Sequence, residues 1–199
     1  TIAAIIRRNG KQATILDRAN FHDLLETGSG FMQALGEFSF YDSSPAYEKK
    51  IDEEARTIAG LRPGVMFVNL WQGSGFKFSA DLVAAVKKYS PDTLIYGSGQ
   101  KVDWFTEHIL TLTGRNLDGL LAGLGYGAVE AIVRGEPAEN LPNTIVSTPE
   151  GPRVNARESI DPNDFPLPDY DPEVYPRIGD KVPVYSLPLS NQACPNRCV

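Results

Sequence analysis

Val65-Met-Phe-Val-Asn-Leu-Trp71 is an uninterrupted apolar run of strand length, followed at once by Gln72-Gly-Ser-Gly75. A strand without polar alternation is expected where both faces of a sheet are covered, as in parallel sheets with crossover helices. The run therefore predicts a central strand, and the segments around it repeat the pattern. Thr93-Leu-Ile-Tyr96 and Leu117 to Ala122 are further strands, each preceded by a helical stretch. One helix runs from Ala46 to Leu61 and is closed by Arg62-Pro63-Gly64. A second has Ser79 as its N-cap, presents Leu82, Val83 and Val86 on one face, and ends at Ser90-Pro91. A third is capped by Asp103, turns Phe105, Ile109 and Leu112 inward, and ends at Gly114; the last runs from Tyr126 to Val133. Strands alternating with helices predict an α/β fold, a Rossmann-like or flavodoxin-like doubly wound parallel sheet.

Upstream, Ile2, Ile5 and Ile6 have helical spacing and Asn9-Gly10 supplies a stop, while Ala13-Thr-Ile-Leu-Asp17 reads as a buried strand. Four strands are counted in this way, and a fifth is expected ahead of Thr1. Residues 18–44, rich in Gly, Phe and Ser, carry no regular pattern. Downstream of Glu136 prolines become frequent. Thr144-Ile-Val-Ser147 and Arg153-Val-Asn155 flank Pro149-Glu-Gly-Pro152, a hairpin, and Ile160 to Pro172 alternates prolines with acids and aromatics, as suits an extended strap. The expected organisation is an α/β domain over residues 1–136, a hairpin and proline-rich linker over 137–185, and the start of another domain over 186–199.

The chain has 199 residues, 42% apolar and 22% charged, with 25 acidic against 19 basic residues and a formal charge of −6. That balance lacks the basic face a phosphate backbone requires, so a nucleic-acid partner gains no electrostatic support and a small molecule or peptide is the expected partner. No stretch approaches the ~18 apolar residues of a membrane span, and the N-terminus has no signal-peptide layout, so the cytoplasm is the expected location.

Ligands of open parallel sheets bind outside the carboxyl ends of the strands. Three turns there are glycine-rich: Asn69 to Gly75, including Trp71, Gln72, Gly73 and Ser74; Gly97-Ser98-Gly99-Gln100; and Gly123-Leu-Gly125-Tyr126-Gly127. Glycine lets a ligand approach backbone without a β-carbon in the way, although such turns also use it for tight geometry alone. Gly123 to Gly127 fails the dinucleotide fingerprint, which needs G-x-G-x-x-G after the first strand and an acid about 20 residues on. No Gly-Lys-Ser/Thr follows any turn, so a P-loop is absent. Both cysteines lie in Cys194-Pro-Asn-Arg-Cys198, whose C-x3-C spacing suits a soft metal or an iron–sulfur cluster but equally fits zinc, a local disulfide or two unrelated thiols.

These residues together resemble the cobalamin-binding radical S-adenosylmethionine (SAM) enzyme family. Pro188-Leu-Ser-Asn-Gln-Ala-Cys194-Pro-Asn-Arg-Cys198-Val199 is similar to the opening of that family's barrel, a strand leading into C-x3-C-x2-C, with the third cysteine expected beyond Val199. Ala3 to Gly10 with Ala13 to Asp17, Leu94 to Gly99, Gly125 to Glu130 with Arg134-Gly-Glu136, and Phe165-Pro-Leu-Pro-Asp-Tyr-Asp171 resemble its other segments in order. The resemblance implies a cobalamin whose nucleotide tail enters beside the three turns, with Ser74, Ser98 and Tyr126 as polar contacts. It also implies a [4Fe-4S] cluster held by Cys194 and Cys198, with SAM bound in a radical SAM domain that this chain only begins. Methyl transfer from methylcobalamin to a substrate carbon is the activity it implies first; rearrangement and cyclisation also occur in the family. The D-x-H-x-x-G motif of many cobalamin proteins is absent, because Asp17-Arg-Ala-Asn-Phe-His22 has another spacing, and His22 and His108 read as loop and helix-face residues. The alternative is a non-catalytic ligand-binding module of the same fold, with incidental cysteines.

Overall fold

The computed structural model describes residues 1–16, 44–70, 74–99 and 102–168. Five α-helices and five strands follow in chain order among them. These are α1 (Ile2–Arg8), α2 (Pro45–Gly60), β1 (Val65–Asn69), α3 (Ser74–Tyr89), β2 (Leu94–Ser98), α4 (Val102–Leu112), β3 (Gly119–Leu121), α5 (Tyr126–Val133), β4 (Thr144–Thr148) and β5 (Gly151–Val154). The strands form one sheet in the order β1-β2-β3-β4-β5; β1 to β3 are parallel, and β4 and β5 join antiparallel.

Alternation along each strand divides the interior in two. Ile95 and Leu120 face a core built with Ile51, Ala55 and Ile58 of α2, Val83 and Val86 of α3, and Leu110 of α4. Their neighbours Tyr96 and Leu121 face the opposite core, with Ile5 of α1 and Val129 and Ile132 of α5. Helices thus cover both faces, as the doubly wound fold requires. Because β1, β2 and β3 advance in one direction, the crossover helices α3 and α4 share a face, the outcome of two right-handed connections.

Several expectations are corrected. β1 stands at the edge of the sheet among the described residues, and its side chains are half-buried, not central. Met66 and Val68 pack on one core and Val65 and Phe67 on the other, so the apolar run reports covered faces, not the number of neighbouring strands. Residues 13–16 form no strand; Leu16 is 43% exposed, and the Ala13 carbonyl accepts from the Arg7 guanidinium at 3.0 Å instead of from a ladder. α3 begins five residues before Ser79, because Phe76 and Phe78 also find the core. In α4, Phe105 has non-helical dihedrals (φ −127°, ψ 28°), and the kink breaks the expected stripe. Ile109 and Leu110 are buried while Phe105 and Leu112 are exposed. Asp17 lies outside the described residues.

The hairpin is part of the same sheet. Ile145 pairs with Leu120 and with Val154, and the Asn155 amide donates to the Thr144 hydroxyl (2.8 Å) and the Leu141 carbonyl (3.0 Å), latching β5 to the turn before β4.

Gly97 sits where the sheet is tightest. A β-carbon there would lie 2.6 Å from Leu70 Cδ1 and 2.8 Å from Leu120 Cδ2. Gly97→Val should therefore cost about 1–3 kcal/mol through overpacking. Urea unfolding monitored by circular dichroism would measure it, and an unchanged midpoint would contradict the packing described.

Candidate functional site

The carboxyl ends of β1, β2 and β3 lie on one edge of the sheet, where α3, α4 and α5 all begin. Register sets Asn69 beside Ser98, and the Leu70 amide donates to the Ser98 carbonyl at 2.7 Å. Asn69 is exposed and Ser98 half-buried, its hydroxyl donating to the Val68 carbonyl at 3.4 Å. Gly99, at φ +144°, brings its backbone so close to β1 that a β-carbon would meet the Leu70 carbonyl at 2.7 Å. On this side of the rim, Gly97 and Gly99 are explained by the protein's own packing.

The β3–α5 turn differs. Gly123 (φ +56°) and Gly125 (φ +55°) both use left-handed backbone, which other residues rarely adopt. A β-carbon at Gly125 would strike Leu121 Cβ at 2.9 Å, but at Gly123 or Gly127 it would meet nothing within 4 Å among the described residues. Open space therefore borders Gly123 and Gly127. Gly125 caps α5 without a side-chain acceptor, and the first intrahelical bond runs from the Val129 amide to the Gly125 carbonyl at 3.0 Å. The amides of Tyr126, Gly127 and Ala128 precede that bond at the positive end of the helix dipole.

Tyr126 is half-buried against the α1–α5 core and packs on Phe165, ring centroids 5.4 Å apart, at the start of the proline-rich strap. Arg8 of α1 completes the contact, donating to the Asp164 carbonyl at 2.9 Å with its guanidinium 5.7 Å from the Phe165 ring. It also pairs with Glu130 of α5 at 3.1 Å, where the Asn9 amide donates too, again at 3.1 Å. Arg8, Glu130 and Phe165 hold the helix that carries the turn, and sequence spacing alone did not find them because they are brought together only by the packing of α1 on α5.

Of the residues expected at the rim, Asn69, Gly97, Ser98, Gly99, Gly123, Gly125, Tyr126 and Gly127 all fall on this edge. Ser74 begins α3 there. Trp71, Gln72, Gly73 and Gln100 lie outside the described residues, as do His22, Cys194 and Cys198. His108 sits on the exposed face of α4, edge-on to Phe105 at 6.4 Å. Among the described residues no cluster of three or more His, Cys, Asp or Glu side chains could hold a metal ion. No helix among them is long and apolar enough to cross a membrane.

No protein-family model and no curated protein matches the chain. Among solved structures, the radical S-adenosylmethionine methyltransferase TsrM from Kitasatospora setae, with tryptophan substrate and a SAM analogue (aza-SAM) bound, is similar at a TM-score of 0.45 and 14% identity. The likeness covers 78% of this chain, which spans 27% of that one. At that level it does not carry the fold assignment, which rests on the strand order and crossovers above.

Glu130 links this edge to pH. Burial raises its pKa, but the Asn9 amide and the Arg8 guanidinium, with Arg134 beyond, outweigh burial and hold it below the ordinary 4.5. A carboxylate with a lowered folded pKa contributes stability above its unfolded pKa and loses it as pH falls through the folded value. Glu130→Gln should therefore be less stable than the parent at pH 7, and the gap should close below pH 4.5. Urea midpoints against pH would test this; a gap constant with pH would contradict it.

Proposed function

We propose that this chain is the cobalamin-binding portion of a cobalamin-dependent radical SAM enzyme, most simply a methyltransferase acting on a substrate carbon. The observation that carries the reading is the open space along Gly123 and Gly127 at the uncapped start of α5. It is supported by the ordered sequence resemblance that ends in Cys194 and Cys198.

The residues present suit a phosphate-bearing tail at this turn. Unpaired amides at a helix start donate to anionic oxygens, and the dipole favours negative charge. Gly123 and Gly127 leave the backbone bare for close approach, and the Tyr126 ring, held by Phe165, gives that wall an apolar flank. The bare side of Gly97 is filled by Leu70, Leu117 and Leu120, so the fit is better at the β3–α5 turn than at the β2 turn. Asn69 and Ser98 add polar atoms on the neighbouring strand ends. Cys194 and Cys198 would supply two of the three thiolates of a [4Fe-4S] cluster, the third coming from a longer protein. The chemistry these groups supply when bound is a transferable methyl from methylcobalamin and a substrate radical from SAM cleaved at the cluster.

Protein mixed with hydroxocobalamin should keep the corrin absorbance through desalting, and a colourless protein would refute the reading. Gly127→Phe meets no atom of the described residues that blocks its β-carbon, yet it fills the open space, so retention should weaken about tenfold with the fold unchanged. In a protein extended past Val199, anaerobic iron–sulfur reconstitution should load iron, and Cys194→Ala or Cys198→Ala should abolish loading. Equal iron in all three would overturn the ligand assignment.

A further inference from the structure

A cavity of about 490 Å³ opens at the other end of the sheet, where β2 and β3 begin and α5 ends. Leu94, Ile132 and Pro137 give it an apolar wall, and Tyr96, Asp118 and Glu139 also line it. Tyr96 is only 5% exposed. Its ring stacks on Phe67 at 6.0 Å and lies over Gly119, where a β-carbon would come within 3.3 Å of it. Its hydroxyl has no hydrogen-bond partner among the described residues, yet no fully buried side-chain polar atom among them lacks one. The sliver of Tyr96 still exposed therefore includes the hydroxyl, which reaches the cavity.

Most of the charged side chains around it are paired. Asp118 is engaged, accepting from the Lys87 ammonium at 2.8 Å and the Ile95 amide at 2.7 Å. Arg115 is held by Glu107 at 2.9 Å, and Glu136 by Arg134 at 3.3 Å. The Glu139 carboxylate has no ion-pair partner among the described residues, while the Arg153 guanidinium donates to the Glu139 backbone carbonyl at 2.6 Å. Burial first, then the charges of Asp118 and Glu139, push the Tyr96 phenol up to about 12; at neutral pH it is a hydroxyl that can both donate and accept.

We propose that this cavity binds a small organic amine, its ammonium between the Tyr96 hydroxyl and the Glu139 carboxylate and its hydrocarbon body against Leu94, Ile132 and Pro137. A primary ammonium donates to both oxygens and also neutralises the unpaired carboxylate; an alcohol can bridge the same two oxygens but leaves that charge in place, and a carboxylate adds a second one. The volume falls in the range of small-molecule sites. The site lies at the opposite end of the sheet from the glycine-rich turns and does not depend on cobalamin binding there.

The test titrates the chain with 2-phenylethylamine, 2-phenylethanol and phenylacetate, following backbone amide shifts by NMR. The amine should produce saturable shifts centred on Leu94, Glu139 and Ser147, and the other two probes should bind about tenfold more weakly or not at all. Tyr96→Phe and Glu139→Gln should each weaken the amine about tenfold. Glu139 is exposed, so its variant tests the site even if Tyr96→Phe perturbs the core. Equal binding of the three probes, shifts centred elsewhere, preference for phenylacetate through Arg115, or parental affinity in Glu139→Gln would each overturn the proposal.

Discussion

Leu70, Leu117 and Leu120 meet over the bare backbone of Gly97, and most of the architecture depends on that contact. It lets the Leu70 side chain, just after β1, reach over β2 beside Leu120 of β3, within the core beneath α2, α3 and α4. With a side chain at Gly97, Leu70 and Leu120 would have to give way, and interiors packed at crystal density have little room for such movement. Gly99 applies the same constraint one step further along, where β2 leaves the sheet beside the Leu70 carbonyl. Two of the glycines on the rim are thus spacers for the protein's own side chains and backbone.

The two faces are joined by groups that work at strand ends. At the amino end, Asp118 accepts from Lys87 of α3 and from the Ile95 amide, so one carboxylate ties a crossover helix to the junction of β2 and β3. On the opposite face, Glu130 receives Arg8 and Asn9, fixing the short helix α1 against α5. Neither pair is strong in isolation, since exposed ion pairs contribute little. Their value is positional, because each sets where a helix ends and hence where the adjoining turn or cavity lies.

The sheet consequently has two chemically different ends. At the carboxyl end helices begin, α5 starts without a side-chain cap, and the open space beside Gly123 and Gly127 suits anionic oxygens. At the amino end α3 and α5 finish, carboxylates gather, and the cavity beside Tyr96 suits a donor-bearing cation. The polarity of parallel βαβ units produces this contrast, since every crossover helix points the same way relative to the sheet.

The sequence by itself determined the α/β class, the span of α5 to the residue, the hairpin, and the edge on which glycines collect, because hydrophobic period and turn residues are local properties. It could not determine that β1 lies at the edge among the described residues, since an apolar run records which faces are covered and not which strands are adjacent. Nor could it separate Gly97, wedged among leucines, from Gly123 and Gly127, which face open space; all three read alike in the chain. That Phe105 and Leu112 turn outward followed from a kink set by φ and ψ at one residue, and that Tyr96 reaches a cavity with Glu139 followed from the turn after α5. These are juxtapositions of residues distant in sequence or of backbone with solvent, and only tertiary packing decides them.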